Sequence, residues 1–383
     1  MSDTITSIIQ TNSIYLPVNF DRIRRPPRPP EDQQSTYLER FDFHGIFSDV
    51  FSCQNTIIAM GPPYLNLRHL LDQSQFIING SQFIDKESIH FNELNRTSRT
   101  VFKLSDNCVA DRITLKYGPL NLECAIGDNH YRAFAGRNVL VTMNRDNNFE
   151  NIVDWLEINA KCNQIDAVII YDNRSESYTD KDLIKSISKV NGVEVVYVVN
   201  WPHPYGPTAH KGQNWDSDFG QHTAWEHARW RFLLEANSVT HCDVDEIPLT
   251  EDGSPCWTKA AENENGVFYY RMRDVEPSPT RDLDPSRIRR HSDYIFFHPN
   301  KLGSFKYTYI PSKLTCEQQL LVHKVSNTKE DERHLGYSRH FRGLHRLWRA
   351  GSQGYTYEES EPNDSFEIDE PLQKAFDMVK NCS

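Results

Sequence analysis

Short apolar segments alternate with segments of helical periodicity from about residue 137 onwards, and this pattern restricts the fold more than any other feature. The apolar segments are VLVTM, AVIIY, VEVVYVV and SVTHC. In the first intervening segment, NFENIVDWLEINAKCN, the apolar residues fall on one helical stripe that includes Ile152, Trp155 and Leu156. Alternating strands and helices form a parallel sheet with crossover helices. We therefore predict an α/β fold for residues 137–350, with a mostly parallel sheet flanked by helices.

Composition divides the rest of the chain into three segments. Residues 1–40 include DRIRRPPRPPEDQQS, whose four arginines and four prolines favour extended polyproline geometry. An extended arm or linker is the first interpretation, and a docking strip for an anion is the alternative. Residues 41–136 are rich in β-branched and aromatic residues broken by Gly, Pro and Asn, which predicts an N-terminal β-rich domain, an antiparallel sheet or small sandwich. Residues 351–383 are predicted to form an acidic C-terminal tail.

Length and charge exclude several classes of protein. A chain of 383 residues exceeds the usual size of one hydrophobic core, which predicts two domains. The net charge of −11 argues against nucleic-acid binding, and the eight cysteines include no CxxC pair of the kind found in zinc ribbons. The N-terminal segment lacks the pattern of a signal peptide, and no apolar run approaches the roughly 20 residues that span a bilayer. We expect a cytoplasmic protein that makes at most peripheral contact with a membrane.

Polar side chains gather where three of the predicted strands end. The cluster TMNRDNN follows the first strand, YDNRSES follows the second and DVDEIP follows the fourth. In an open parallel sheet, ligands bind outside the carboxyl ends of the strands. The three clusters together therefore predict a nucleotide site at this edge of the sheet.

The cluster DVDEIP places three acids, Asp243, Asp245 and Glu246, directly after an apolar run. Buried carboxylates without a positive partner are costly, so we expect a cation beside them. On an extended strand, Asp243 and Asp245 would point the same way and would suit Mg²⁺ or Mn²⁺, whose coordination a nucleotide diphosphate would complete. A surface turn with solvated acids is the alternative interpretation.

The run VLVTMNRDNNFENIVDWLEINAKCNQIDAVIIYDNRS resembles the opening of GT-A-fold glycosyltransferases of the family-two and family-ninety-two type. The matching positions are Thr142, Met143, Asn144, Asp154, Trp155, Tyr171, Asp172, Asn173 and Ser175. The next landmarks of these families are a Gln before a helix and an Asp-x-Asp-Glu-Phe strand end. The positions similar to them are Gln221, Asp243, Asp245, Glu246 and, in place of the usual Phe, Ile247. The later segments FKYTYIPSK, LLVHKV and RHFRGLHRLWR look like the basic and histidine-containing strands of these enzymes, so the resemblance covers about residues 137–350.

This resemblance implies a GT-A-like glycosyltransferase that uses Mn²⁺ or Mg²⁺ and moves a sugar from a nucleotide-sugar donor to a glycan or glycolipid acceptor. The residues it assigns to the nucleotide are Thr142, Asn144, Asp172 and Asp243. The residues it assigns to the metal are Asp243, Asp245 and His340, with Asp245 the more direct ligand. The residues it assigns to phosphate groups are Lys306, His323 and Arg342. A purely structural role is the alternative for His323 and His340, and the first turn departs from the family pattern at Arg145 and Asp146.

An inverting transfer needs a general base that takes the proton of the acceptor hydroxyl, usually a carboxylate. The two candidates are Glu317 in KLTCEQQ and Asp274 in YYRMRDVEPSPT, between which the sequence does not decide. In the irregular segment 200–218, the aromatic residues Trp201, Tyr205 and Trp215 either stack on a sugar or pin the loop. Two other classes stay open: a carbohydrate-binding or scaffold protein with a degenerate transferase domain and, less favoured, a phosphatase with a DxD nucleophile.

Overall fold

The structure is a computed structural model that describes residues 4–105, 109–284, 286–330, 334–346 and 357–380. Its strands are β1 (Ile5–Ile9), β2 (Ile14–Tyr15), β3 (Gly45–Phe47), β4 (Asp49–Cys53), β5 (Thr56–Gly61), β6 (Gln75–Ile78), β7 (Gln82–Phe83), β8 (Ile89–Leu94), β9 (Thr97–Lys103), β10 (Arg112–Tyr117), β11 (Leu120–Ala125), β12 (Asn138–Asn144), β13 (Ala167–Asp172), β14 (Val195–Asn200), β15 (Ser238–His241), β16 (Glu246–Thr250), β17 (Val267–Val275), β18 (Phe296–Tyr309), β19 (Gly336–Phe341) and β20 (Glu367–Ile368). Its α-helices are α1 (Tyr37–Arg40), α2 (Arg68–Gln73), α3 (Phe149–Asn163), α4 (Asp180–Ile187), α5 (Phe219–Arg231), α6 (Cys256–Glu262) and α7 (Glu370–Lys380).

A large mixed sheet organises most of the described chain. Its strand order is β1-β14-β13-β12-β15-β18-β17-β19-β16, with β20 paired to β18. The pairings from β1 to β15 are parallel, whereas β18 runs antiparallel to both of its long neighbours, β15 and β17. The prediction of an α/β fold with flanking helices is confirmed, but the sheet is mixed rather than mostly parallel. No α-helix lies between β17 and β18 among the described residues, and strands joined directly commonly pair antiparallel, whereas β17 and β19, which β18 separates along the chain, pair in parallel.

Successive residues of the central strands face opposite sides of the sheet, and each side buries a different set of helices. Val141 of β12 lies in a core with Trp225 of α5. Its neighbour Leu140 lies in a second core with Trp155 of α3 and Phe376 of α7. This alternation is the reason for the continuous apolar runs, since strands covered on both faces have no polar side. None of the described helices is both long and apolar enough to cross a bilayer.

Both ends of the described chain join these layers, which differs from the predicted arm and tail. The strand β1 pairs in parallel with β14 at the edge of the sheet and places Ile9 in the core. The helix α7 buries Leu372, Ala375 and Phe376 beside α3. Both segments carry apolar residues at strand or helical spacing, so burying them offsets the cost of ordering the chain.

The N-terminal β-rich region contains two four-stranded antiparallel sheets, β4-β5-β9-β8 and β11-β10-β6-β7, around a core of their own. This arrangement agrees with the predicted small sandwich. The region packs on α5 through a buried charge network. Asp49 of β4 accepts hydrogen bonds from His227 Nε2 at 2.7 Å and Arg231 Nη1 at 2.5 Å, and His227 Nδ1 lies 2.7 Å from the hydroxyl of Tyr171 in β13. Burial alone would raise the pKa of Asp49, but Arg231 and His227 outweigh it and hold the pKa below its usual value.

Replacing Asp49 with Ala removes the buried anion that Arg231 and His227 share, so we expect the free energy of unfolding to fall by about 3–5 kcal/mol. Urea unfolding measures the loss. Because the folded-state pKa of Asp49 is lowered, its contribution is complete above about pH 4 and is lost as the pH falls further, so the variant and the parent protein converge in acid. Asp72→Ala, which removes an exposed pair with Arg68, is the control and should change little. Equal losses in the two variants would contradict the structural role of Asp49.

Candidate functional site

The acidic cluster after β15 forms a turn that leads into β16. The amide of Glu246 donates to the carbonyl oxygen of Asp243 at 2.9 Å, which closes the turn. Asp243 and Asp245 are partly exposed, while Val244 between them packs in the core. The expectation of an extended strand is therefore wrong at these positions. As a result, the two aspartates contact different partners instead of sharing one.

Asp243 and Glu246 lie beside Lys306, which extends from β18 and is 4% exposed. Lys306 Nζ is 3.0 Å from Glu246 Oε2 and 3.5 Å from Asp243 Oδ2. Gln221 of α5 donates to Asp243 Oδ1 at 3.3 Å. Burial would lower the pKa of Lys306, but the two carboxylates raise it above its usual value, so the amine is charged. Lys306 is therefore a cation that balances this part of the cluster.

Asp245 meets two histidines from the end of β19 and the segment after it. Its Oδ2 atom is 2.7 Å from His345 Nδ1 and 3.6 Å from His340 Nε2, and these two nitrogen atoms are 3.4 Å apart. Three donors at about 2.1 Å from one ion would be about 3.0 Å apart in octahedral and about 3.4 Å apart in tetrahedral coordination. The group fits a divalent ion, and its two imidazoles favour a transition metal over Mg²⁺.

A further carboxylate orients His340. Its Nδ1 atom is 3.1 Å from Asp274 Oδ1, and Asp274 Oδ2 accepts a hydrogen bond from Arg342 Nη2 at 2.5 Å. Metal-binding histidines commonly hold their second nitrogen in this way, which fixes the direction of the first. Although burial would lower it, Asp245 and Asp274 raise the pKa of His340 to about 9. A metal ion would therefore displace a proton from His340 at neutral pH.

Most of these side chains, though not Asp245, line a cavity of about 780 Å³. The lining residues from the second half of the large sheet and its turns are Asp243, Glu246, Lys306, Asp274, His340, Arg342 and His345. The lining residues from the β8–β9 turn and the start of α5 are Asn95, Arg96, Asp218, Gln221 and His222. His323 lies at the mouth, with its Nδ1 atom 3.0 Å from the carbonyl oxygen of Phe305. Most of the residues predicted to contact metal or phosphate therefore surround one space.

The residues predicted to contact the base and ribose form a separate cluster at the ends of β12 and β13. Asn144 Nδ2 donates to Asp172 Oδ1 at 2.8 Å and to the hydroxyl of Tyr178 at 2.9 Å. Asp172 also accepts a hydrogen bond from Ser175 Oγ at 2.6 Å. Thr142 is fully buried. None of Thr142, Asn144 and Asp172 is among the residues that line the 780 Å³ cavity.

The two candidate bases differ in position. Glu317 is exposed, accepts a hydrogen bond from Cys316 Sγ at 3.2 Å and is not among the residues that line the cavity. Asp274 lines the cavity, but both of its oxygen atoms are engaged. Burial would raise its pKa, yet His340 and Arg342 lower it below the usual value. Asp274 is therefore suited to orienting His340 rather than to accepting a proton.

His345 is a site residue that the sequence reasoning missed. The segment RHFRGLH carries a second histidine five positions after His340, which was the available signal.

The three aromatic residues predicted either to stack on a sugar or to pin a loop differ in exposure. Trp201 is fully buried, the Tyr205 hydroxyl donates to Gln221 at 2.8 Å, and Trp215 is 50% exposed. Only Trp215 presents an open ring face.

The chain matches no protein-family model, and no curated protein matches its sequence. The function of the chain is therefore inferred from the geometry of the site.

We expect His345→Ala to abolish the thermal stabilisation that Mn²⁺ gives the protein, because one of three ligands is lost. Thermal unfolding with Mn²⁺ and with EDTA measures the shift. His323→Ala is the matched control, since His323 lines the same cavity outside the Asp245 group and should leave the shift intact. Loss of the shift in both variants, or in neither, would contradict the assigned ligands.

Replacing Lys306 with Met leaves Glu246 buried without its cation, and we expect a loss of about 3–5 kcal/mol in the free energy of unfolding at neutral pH. Burial raises the pKa of Glu246 and Lys306 counteracts this, so the pKa rises further in the variant. With the folded-state pKa above the unfolded value, stability returns as the pH falls through the folded-state pKa. Adding Glu246→Gln to Lys306→Met should recover part of the lost stability at neutral pH. If the loss in the double variant instead equals the sum of the losses in the two single variants, the pairing of Lys306 with Glu246 is contradicted.

Proposed function

We propose that this protein is a divalent-metal-dependent glycosyltransferase with a GT-A-like transferase region, which moves a sugar from a nucleotide-sugar donor to a glycan or glycolipid acceptor. The observation that carries the proposal is the meeting of Asp245, from the DxD cluster, with His340 and His345, two histidines that line one cavity together with Lys306 and Arg342. Two landmarks about 100 residues apart in the sequence meet at one point, in the order that the resemblance implies.

The charges of this cavity suit a nucleotide diphosphate. When bound, the metal ion would neutralise charge on the leaving diphosphate. Arg342 lines the same cavity, and its guanidinium is held by two hydrogen bonds, from Nη2 to Asp274 and from Nη1 to the hydroxyl of Tyr357 at 2.7 Å. Lys306 is held in place by Glu246, so its position does not depend on the ligand. A site with fixed positive groups stabilises a developing anion without reorganising.

The nucleoside would extend toward the carboxyl ends of β12 and β13, where Asn144 and Asp172 lie. Ligands of open α/β sheets bind at these strand ends. Asp172 keeps its side chain directed by hydrogen bonds from Ser175 and Asn144, and its burial raises its pKa. Such a fixed carboxylate is suited to accept hydrogen bonds from ribose hydroxyls.

The role of a carbohydrate-binding protein with a degenerate transferase region is the competing proposal. Both proposals predict that the protein binds a saccharide, but only a transferase would release a nucleoside diphosphate. Asp243, Asp245 and the two histidines are all present, which supports the catalytic alternative.

Asp245→Asn should lower the Mn²⁺-dependent release of nucleoside diphosphate by roughly 100-fold or more, since the anion-stabilising ion loses a ligand. The substrate is the nucleotide sugar that gives the largest thermal stabilisation with Mn²⁺. Glu317→Gln is the control and should retain activity, because Glu317 lies outside the cavity wall. Unfolding in EDTA checks that Asp245→Asn is folded. A folded Asp245→Asn protein with full activity would reject the proposal, and no release by the parent protein with any nucleotide sugar would favour the binding protein.

A further inference from the structure

A second, smaller pocket of about 250 Å³ adjoins the cavity where the N-terminal arm, the β-sandwich and the loop before α5 meet. Its walls are mainly apolar and include Phe41, Pro62, Pro63, Leu94 and Phe219, but two carboxylates, Glu93 and Asp216, also line it. The half-exposed ring of Trp215 contributes one of these walls. An apolar pocket with a few polar groups at one side is the usual form of a small-molecule site.

The two pockets are joined by the turn between β8 and β9. Asn95 and Arg96 form this turn and line both the small pocket and the 780 Å³ cavity. The turn is fixed in place: Gln319 bonds the backbone amide and carbonyl of Asn95, each at 2.8 Å. The side chain of Arg96 is therefore held at the passage between the two spaces.

Arg96 has a backbone conformation that arginine rarely adopts. Its φ angle is +62°, in the left-handed region, where the side chain of a non-glycine residue is strained against its own backbone. Gly or Asn would satisfy the turn at lower cost. The turn alone therefore does not account for an arginine at this position.

The positive charge of Arg96 has no direct ion-pair partner among the described residues. Its Nε atom is buried with no hydrogen-bond partner, and the carboxylates of Asp218 and Asp216 act on its charge only from a greater distance. Its Nη1 atom lies 3.2 Å from Nε2 of His222, a residue 3% exposed whose pKa burial and Arg96 lower to about 3. Asp218 lines the same cavity without a hydrogen bond to Arg96, and Asp216 is bound instead by Arg28 and Tyr37.

We propose that Arg96 and the apolar pocket form an acceptor subsite for a negatively charged saccharide. One sugar ring lies against Trp215, and a carboxylate or phosphate group on the saccharide accepts hydrogen bonds from Arg96. Arginine binds both anions through paired N–H groups, and an aromatic ring covers the apolar face of a sugar. The chain carries a net charge of −11 and on the whole repels an acidic glycan. Such a glycan is therefore attracted only where a local positive charge exceeds this repulsion.

This subsite extends the proposed transferase function, because its occupant would reach the donor cavity through the passage at Arg96. The saccharide site itself needs neither metal nor nucleotide. Binding can therefore be measured in EDTA, where the proposed transfer reaction plays no part.

Isothermal titration calorimetry tests the subsite with three probes: trigalacturonate, mannose 6-phosphate and the neutral maltotriose. We expect at least one anionic probe to bind more tightly than maltotriose, and which one binds distinguishes a carboxylate from a phosphate ligand. Arg96→Gln should weaken the binding of that probe about tenfold or more, as expected for the loss of a hydrogen bond from a charged group. Trp215→Ala should weaken it several-fold. The controls are Arg112→Gln and Trp257→Ala, which alter residues outside both pockets and should bind as the parent protein does.

Equal binding of maltotriose and the anionic probes, or no binding of either anionic probe, would overturn the subsite. Unchanged affinity in a folded Arg96→Gln protein would overturn the role of Arg96. The Asp245→Asn protein should bind the probe normally. If the parent protein binds the probe but releases no nucleoside diphosphate, the transferase proposal fails while the saccharide subsite stands.

Discussion

The balance of charge around the turn after β15 is the constraint on which the rest of the site depends. Asp243, Asp245 and Glu246 all lie in or beside a packed core, where an unpaired carboxylate would cost several kcal/mol. Two kinds of positive group balance them. Lys306 pairs with Glu246 and Asp243, and the imidazoles of His340 and His345 pair with Asp245. The two aspartates of the DxD cluster therefore belong to different charge groups, although they are separated by a single residue.

Strand order explains how the second charge group forms. The strand β19 lies between β17 and β16, and the registers place His340 opposite Asp274 on one side and Glu246 on the other. His340 is therefore set between carboxylates by backbone hydrogen bonds alone. The amide of Phe341 also donates to the carbonyl oxygen of Asp245 at 2.8 Å, which ties the turn to the end of β19. Of the three ligands of a metal ion, His340 would be positioned by the sheet itself, and the bond from Phe341 holds Asp245 beside it.

The sequence predicted those features that depend on local pattern. The alternation of strands and helices up to β15 and the antiparallel character of the N-terminal region could be inferred from neighbouring residues, and the resemblance indicated Asp245 and His340, whose side chains lie 3.6 Å apart. Features that depend on distant pairing could not. His345 becomes a candidate ligand only because the chain after β19 returns to the turn at Asp245. The edge strand β1 is separated by about 190 residues from its partner β14, and no local pattern indicates that pairing. A turn at the acids was only the alternative interpretation, because an apolar residue between two acids also fits a strand.

Helix α5 links the fold of the N-terminal region to the geometry of the cavity. Its C-terminal half holds the β-sandwich through His227 and Arg231, both bound to Asp49. Its first turn places Gln221 against Asp243 and His222 beside Arg96. Because a helix transmits displacement along its axis with little bending, the packing of the sandwich also fixes the position of these residues. The N-terminal β-rich region therefore contributes one wall of the cavity and also sets the position of the helix that completes it.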